Sequence, residues 1–382
     1  MLHLNSKIKE FFIHSGRSIL VSLYVCLSIF NFNFDVSYIP LVALVLYEIT
    51  EKSSLPAKNN TFLLFLALYL TAIFFSSNFT HSVALSIVFI PGIILYISVR
   101  RVGSDIRCLI LIPLTLILTS GYFLVTGELH KDFIPQEIVD SFKNYIFIVP
   151  NDLVIVLIAA PFICMYKNIR PYMLILLIIY FLYLANVMQS RLCLLVLISI
   201  LAYIFFKYLN IRKSALIFFP ILAAMIFIFD SEFINKLASF NDSRLPLWIS
   251  AGNMFLDKPI MGFGPHTFGI YYQDYHSEFN LMDIVVLDTR ISPWPHNLYL
   301  ELLSEGGVIL LLAFLALTIS NLKKIIRNVH KEREFAYPDA MLCSFGAFLI
   351  AAFFEASFIR MWVVFYFFII QGLIDNLEIQ HG

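Results

Sequence analysis

Runs of apolar residues recur along almost the whole chain, and they constrain its fold more than any other feature. A helix needs about 20 apolar residues to cross the hydrocarbon core of a bilayer, or somewhat fewer when its polar flanks reach the interface. Hydrophobic residues make up 60% of the 382 positions, and charged residues only 14%. An ordinary soluble domain has about a quarter of its residues charged. The sequence therefore predicts a membrane protein.

The predicted fold class is all-α, a polytopic membrane protein with about 12 transmembrane helices in a single membrane domain, 1–382. Nine spans fall within 18–229, a large extracytoplasmic loop covers 230–296, and three C-terminal spans fall within 297–374. The second and sixth runs are short and could be re-entrant or tilted. The twelve apolar runs are 18–32, 36–49, 61–76, 81–99, 106–126, 151–166, 170–187, 191–208, 213–229, 297–320, 338–356 and 357–374.

The basic residues predict how the chain is oriented, because Lys and Arg are retained in cytoplasmic loops. With both termini in the cytoplasm, 18 of the 26 Lys and Arg residues lie on the cytoplasmic side. The eight on the other side are few, given that this side includes the longest loop. They are Lys131, Lys143, Arg191, Lys236, Arg244, Lys258, Arg290 and Arg360.

The loop 230–296 is rich in Trp, Phe, Tyr and Leu, a composition that argues against disorder. A capping side chain in Asp242-Ser243, an early proline and apolar residues up to Phe255 predict an amphipathic helix along the membrane interface. The segment 262–269 resembles half of a phosphate-binding loop but lacks the strand and the lysine of such loops. It is better interpreted as a glycine turn that returns the chain to the membrane surface.

Several classes of protein are disfavoured by charge and cysteine content. The net charge is zero, so the chain as a whole does not attract nucleic acid. The five cysteines are odd in number, and all lie in or at the ends of apolar runs, which indicates neither a disulfide framework nor a zinc site. We expect no cofactor and no metal.

Ionisable residues cluster at the predicted extracytoplasmic ends of the spans, where charge at membrane depth usually marks function. Four arginines on a face that disfavours them indicate an anionic ligand, because guanidinium groups bind phosphate bidentately. The alternative is that each arginine reaches lipid headgroups or pairs with a nearby acid such as Asp242, Asp288 or Glu355. The residues at the span ends are Arg191, His296, Glu301, Glu355 and Arg360, and Arg244 and Arg290 lie in the loop between.

His296 lies between two prolines and the tenth span, in Ser292-Pro-Trp-Pro-His-Asn297. Histidine is the side chain best suited to proton transfer near neutral pH, so it could activate a hydroxyl. A lone histidine at the interface more often caps a helix or contacts headgroups. Asn297, Glu301 and Ser304 follow at helical spacing and form a polar stripe that should face a cavity rather than lipid.

Four stretches of the chain resemble the superfamily of O-antigen ligases and polymerases, which act on polyprenyl-pyrophosphate-linked glycans at the outer face of the bacterial inner membrane. They are Gln189–Leu195, Ser243–Gly264, Pro295–Gly307 and Glu355–Trp362. The order of nine spans, a large periplasmic loop and three spans agrees with that resemblance.

The resemblance implies a metal-independent, inverting transfer of a glycan to a sugar hydroxyl. It implies that Arg191 and Arg244 bind the donor diphosphate and that His296 is the essential histidine. Arg290 and Arg360 match further basic positions of some members. Supporting roles fall to Asn297, Glu301, Glu355 and Trp248.

The leading hypothesis is an O-antigen ligase of the inner membrane that moves glycan from undecaprenyl pyrophosphate onto a lipid A-core sugar. A polymerase would use the same donor with a second lipid-linked repeat unit as acceptor. One dominant loop, beside a first loop whose basic residues are Lys131 and Lys143, favours the ligase. A transporter of lipid-linked glycan is less favoured, because the spans carry almost no charge at depth and show no repeated halves.

Overall fold

The structure is a computed structural model, and it describes thirteen stretches of the chain. They are 16–25, 27–28, 34–50, 60–102, 113–114, 116–118, 154–164, 178–183, 185–186, 190–208, 244–275, 294–329 and 337–379. Within these stretches the chain forms helices and turns and no strand, so the all-α prediction is confirmed there. The predicted span 213–229 lies outside the described residues, as do Lys131 and Lys143.

The helices agree with the apolar runs where both can be compared. In chain order they are α1 (Phe34–Thr50), α2 (Asn60–Phe74), α3 (Phe79–Ser86), α4 (Phe89–Val102), α5 (Val154–Ala159), α6 (Pro161–Cys164), α7 (Arg191–Tyr208), α8 (Leu245–Asp257), α9 (Phe268–Tyr271), α10 (Leu298–Val329), α11 (Tyr337–Phe354) and α12 (Met361–Ile379). A 3₁₀ turn, Tyr272–Tyr275, follows α9.

Three helical stretches are long and apolar enough to cross a bilayer: Phe79–Arg101, Leu298–Val329 and Tyr337–Phe354. Shorter apolar helices accompany them, among them Arg191–Ile204 and Met361–Leu377. The chain is therefore an integral membrane protein, as predicted. The count of twelve spans stays a prediction.

Helix α12 forms the centre of the bundle, since every residue from 362 to 377 is buried. Aromatic rings from several helices pack around its N-terminal half in edge-to-face and tilted pairs. Phe367, for example, lies 5.5 Å from Phe65 and 5.2 Å from Phe358, measured between ring centroids. Such ring pairs favour one arrangement of helices over others, because their geometry is specific.

Buried ion pairs hold together one end of the bundle. Asp375, near the end of α12, pairs with Arg100 at 3.4 Å and with Lys324 at 3.7 Å. Glu48 pairs in the same way with two arginines, Arg17 at 2.8 Å and Arg101 at 2.5 Å. We call this the paired end. The starts of α10 and α12 lie at the opposite end, the site end.

Helices α7 and α11 pack against each other, and Tyr203 near the end of α7 donates a hydrogen bond to Asp339 at the start of α11, at 2.6 Å, so the two helices run antiparallel. Lys207 also pairs with Asp339. Following both helices from this contact, at about 1.5 Å per residue, brings Arg191 about 20 Å away to the level of Phe354. Arg191 therefore lies at the site end, beside the end of α11.

Candidate functional site

His296 and Glu355 form the centre of the site. The two residues are 59 positions apart in the chain, and the His296 Nδ1 lies 2.9 Å from the Glu355 Oε1. Glu355 follows the last residue of α11 and is 2% exposed, whereas the His296 side chain is 23% exposed. A carboxylate bonded to Nδ1 favours the tautomer with its proton there and leaves Nε2 as the acceptor. The arrangement can therefore accept a proton from a hydroxyl at Nε2.

Arg244 binds the other oxygen of the same carboxylate, with its Nη2 3.1 Å from the Glu355 Oε2. Burial raises the pKa of Glu355, but the hydrogen bond from His296 and the positive charges of Arg244 and Arg360 outweigh it and hold the pKa below its ordinary value. Glu355 is therefore an anion at neutral pH. It orients the histidine and one arginine together.

Two tryptophans flank the dyad. The guanidinium of Arg360 lies 5.0 Å from the centroid of the Trp294 ring, a cation-π contact, and the same ring lies 5.0 Å from the His296 ring. Trp248 donates from its Nε1 to the Pro295 carbonyl at 3.0 Å. That bond joins α8 to the segment that carries His296. Trp248 thus acts on the histidine segment through its backbone.

The backbone at His296 has φ +53°, in the left-handed region that residues other than glycine seldom adopt. Such a conformation costs about 1–3 kcal/mol and is found mostly where function or surrounding structure requires it. Asn297 then starts the helix, with its Oδ1 accepting from the Leu300 N–H at 3.1 Å. The helix is thus capped by Asn297, which leaves the His296 side chain to bond Glu355.

Glu301 is buried and its Oε1 accepts the Phe358 N–H at 2.9 Å. Asn297 and Ser304, the other members of the polar stripe, are buried as well. The stripe therefore faces protein rather than lipid, and its groups bond the backbone. Glu301 holds the turn between Glu355 and Arg360.

A break in α10 is the feature that the sequence analysis missed. Gly307 has φ +65° and ψ −169°, values outside the helical region. The loop after α8 runs along this break, where Phe263 N–H donates to the Ser304 carbonyl at 3.1 Å and Val308 N–H donates to the Pro259 carbonyl at 2.9 Å. A Cβ at position 307 would lie 2.2 Å from the Ile260 carbonyl oxygen, so only glycine fits.

Glu305 secures the same loop. Its Oε2 accepts the His266 N–H at 2.6 Å and its Oε1 accepts the Phe268 N–H at 2.9 Å. The side chain is 4% exposed, and the His266 Nε2 in turn lies 3.0 Å from the Tyr69 hydroxyl. Burial, followed by the charge of His81, lowers the pKa of His266 to about 3, so its ring is neutral. A sequence signal existed, since Glu305 follows Glu301 by four residues and precedes two glycines.

The expected glycine turn is confirmed by Gly262 and Gly264, which have φ +65° and +107°. The capping prediction for α8 was wrong: Arg244 occupies the N-cap position without a side-chain cap, because a guanidinium has no acceptor and bonds Glu355 instead. Leu247, Ala251 and other apolar residues of α8 are buried, and the helix packs against α10.

The structure brings together most of the predicted site. Arg191 shares the site end with the dyad, through the antiparallel packing of α7 and α11. Arg290 lies outside the described residues. The residues joined by direct contacts are Arg244, Trp248, His296, Glu355 and Arg360.

Comparison with known proteins gives one family. Residues 172–315 match the family described as O-Antigen ligase, a stretch that includes Arg191, Arg244 and His296. Glu355 and Arg360 follow the matched stretch in the chain. No curated protein matches the chain significantly. The resemblance drawn from the sequence is thus confirmed over residues 172–315, where this membrane protein matches the O-antigen ligase family and where three of the four resembling stretches lie.

Proposed function

We propose that the protein is an O-antigen ligase that transfers an undecaprenyl-pyrophosphate-linked glycan to a sugar hydroxyl of lipid A-core. The observation that carries the proposal is the contact of one buried carboxylate, Glu355, with both His296 and Arg244. It supports a base and an anion-binding group within one site. The family match supports the class of reaction.

In the proposed reaction the acceptor oxygen attacks the anomeric carbon of the donor sugar. The new glycosidic bond forms as the bond from that carbon to the diphosphate oxygen breaks, with inversion. His296 takes the hydroxyl proton at Nε2, and the bond from Nδ1 to Glu355 stabilises the resulting imidazolium. The step is proposed to need no metal.

The leaving diphosphate is stabilised by arginines. Arg244 lies on Glu355 and Arg360 lies over Trp294, so both are held at the site end. Arg191 and Arg290 complete the proposed set. The position of α7 supports the inclusion of Arg191, and the sequence alone supports that of Arg290. Trp248, Asn297 and Glu301 support the set through backbone contacts.

The proposed location is the inner membrane, with both termini cytoplasmic and the site end periplasmic. The 18 to 8 division of basic residues supports this orientation. Single cysteines at Leu256 and Arg327, both exposed, test it with an impermeant thiol reagent in spheroplasts. Labelling at 256 alone is expected, and labelling at 327 alone would invert the topology.

The function is tested by the lipopolysaccharide ladder of a deletion strain on a gel. A ligase predicts complete loss of the ladder, with polymer still attached to carrier lipid. Core bearing a single repeat would assign the protein as a polymerase, the alternative. Purified protein that binds donor but shows no transfer in detergent would favour a carrier of lipid-linked glycan over an enzyme.

A further inference from the structure

We propose that Glu301 and Glu305 are positioning residues: Glu301 holds the turn that leads to Arg360, and Glu305 holds the loop after α8, the helix whose N-cap is Arg244. The inference rests on the proposed function. The two glutamates are one turn apart on α10, and both are buried, at 3% and 4% exposed. Buried carboxylates are costly unless they are bonded, and these two bond backbone N–H groups.

Glu305 sets the position of Arg244 through the loop after α8 and through α8 itself. The segment that Glu305 binds begins directly after α8, and Arg244 is the N-cap residue of that helix. A helix of 13 residues is a rigid rod of about 20 Å. The far end of the rod is joined to α10 by backbone hydrogen bonds and by the Glu305 carboxylate. A shift at the Glu305 contact therefore moves Arg244 relative to Glu355.

Glu301 sets the position of Arg360 through the turn that joins Glu355 to Arg360. Phe358, whose N–H the Glu301 carboxylate accepts, lies between Glu355 and Arg360 in one turn. That turn is closed by the Arg360 N–H bond to the Ser357 carbonyl at 3.0 Å. His296 lies two residues before α10, and two side chains of α10 hold the turn before Arg360 and the loop after the helix that Arg244 caps. The relative positions of all three groups are set from one helix.

The two contacts differ in how they should respond to an amide. Glu305 uses both oxygens on two N–H groups, so glutamine would keep one bond and place its NH₂ against the second N–H. Glu301 accepts one backbone N–H through Oε1, a bond that glutamine can keep. We therefore expect Glu305→Gln to impair transfer more than Glu301→Gln.

A double-mutant cycle separates positioning from general stabilisation. Glu305→Gln alone is expected to lower kcat/KM by about tenfold to a hundredfold, as for other residues that orient a site group. In the Arg244→Ala background the same change should cost less than about threefold, because the group that it positions is gone. Equal losses in both backgrounds would overturn the proposal.

Asp375→Asn is the matched control, since Asp375 is a buried carboxylate at the paired end. Any loss that it causes should be the same with and without Arg244. Should Asp375→Asn also lose its effect in the Arg244→Ala background, the cycle reports folding and the positioning role fails.

A distance measurement tests whether Glu305 positions the start of α8 relative to α10, without relying on activity. Spin labels are placed at the exposed residues Leu245 and Leu312 in a chain whose five cysteines are replaced by alanine. Glu305→Gln should broaden or shift the distance distribution, and Asp375→Asn should leave it unchanged. An unchanged distribution in Glu305→Gln overturns positioning. A shifted distribution in a protein without transferase activity would instead refute only the proposed function.

Discussion

Both ends of the bundle bury a carboxylate between basic side chains, but the partners and the surrounding backbone differ between the two ends. At the paired end, Asp375 and Glu48 each bind two cations, and the backbone around them is ordinary helix. At the site end, Glu355 binds one arginine and one histidine. Every positive φ angle in the described part of the chain belongs to this end: Gly262, Gly264, His266, His296 and Gly307.

The difference teaches where a membrane protein can accommodate irregular backbone. Unbonded N–H and C=O groups are too costly in hydrocarbon, so a broken helix requires partners from elsewhere in the protein. The loop 259–268 supplies those partners to α10 at the site end. Strained backbone there has a structural cost, and function is the usual reason for such a cost. The paired end should therefore govern stability and the site end catalysis.

The largest effect is expected from His296→Gln. Loss of a general base should reduce single-turnover transfer at saturating donor by about 10²- to 10⁴-fold, with donor binding near normal. His81→Gln, a histidine at the same end outside the site, is the control and should transfer normally. Lost donor binding with a proportionate loss of transfer would make His296 a diphosphate ligand, and Glu301 or Glu355 the remaining candidate bases.

Arg244→Ala should weaken the site by about 2–4 kcal/mol, a loss of roughly 30- to 1000-fold in kcat/KM, because it removes a ligand and leaves Glu355 less compensated. Arg244→Lys should rescue only in part, since an ammonium lacks the planar fork. We expect the same order for Arg191. Arg327→Ala, an exposed arginine at the paired end, serves as control. Full activity of either site variant would remove that residue from the site.

Glu355→Gln sharpens the comparison when it is measured beside Asp375→Asn. The first should lower kcat about tenfold to a hundredfold, because Gln keeps the shape but not the charge that orients His296. The second should cost about 3–5 kcal/mol of stability, the range for breaking a buried ion pair, with little change in kcat. Thermal unfolding and single-turnover transfer are measured on both. If Glu355→Gln mainly lowered stability and Asp375→Asn mainly lowered kcat, the site end would not govern catalysis, nor the paired end stability.

The smallest expected effect is a loss of stability at acidic pH, caused by His266. The pKa of His266 is lowered to about 3 in the folded protein, whereas an unfolded histidine titrates near 6.5. The unfolded state therefore binds more protons between these values, so stability is full above about 6.5 and falls as pH decreases. From pH 6.5 to 5 the loss is about 2 kcal/mol. Hydrogen exchange of 262–268 should accelerate over that range, and His266→Gln should remove the acceleration; an unchanged rate in the native protein would contradict it.

Local patterns predicted the helices well. The run 191–208 is α7 to the residue, and the apolar spacing after Arg244 predicted α8. These features depend on periodicity within one segment, which a sequence displays directly. The orientation rule likewise placed His296 and Glu355 at the same end.

Contacts between distant segments were beyond such patterns. The pairing of His296 with Glu355 joins residues 59 apart, and the role of Glu305 depends on a loop that runs along a helix break. Periodicity does not show the break, because the apolar pattern resumes at Val308, directly after Gly307. Nor could it show that Arg244 would leave the helix end uncapped to reach Glu355.

The length of α10 has a consequence for how the substrates arrive. The unbroken part of its 32 residues, 308–329, alone rises about 33 Å, whereas the hydrocarbon layer is about 30 Å thick. If Lys323 and Lys324 mark one boundary of that layer, the other boundary lies about 20 residues earlier in the helix, near Leu303. Glu301 and His296 then stand at headgroup depth. A polyprenyl diphosphate could keep its tail in the bilayer and an incoming sugar its hydration, so that neither partner would have to cross into the other's solvent before reacting.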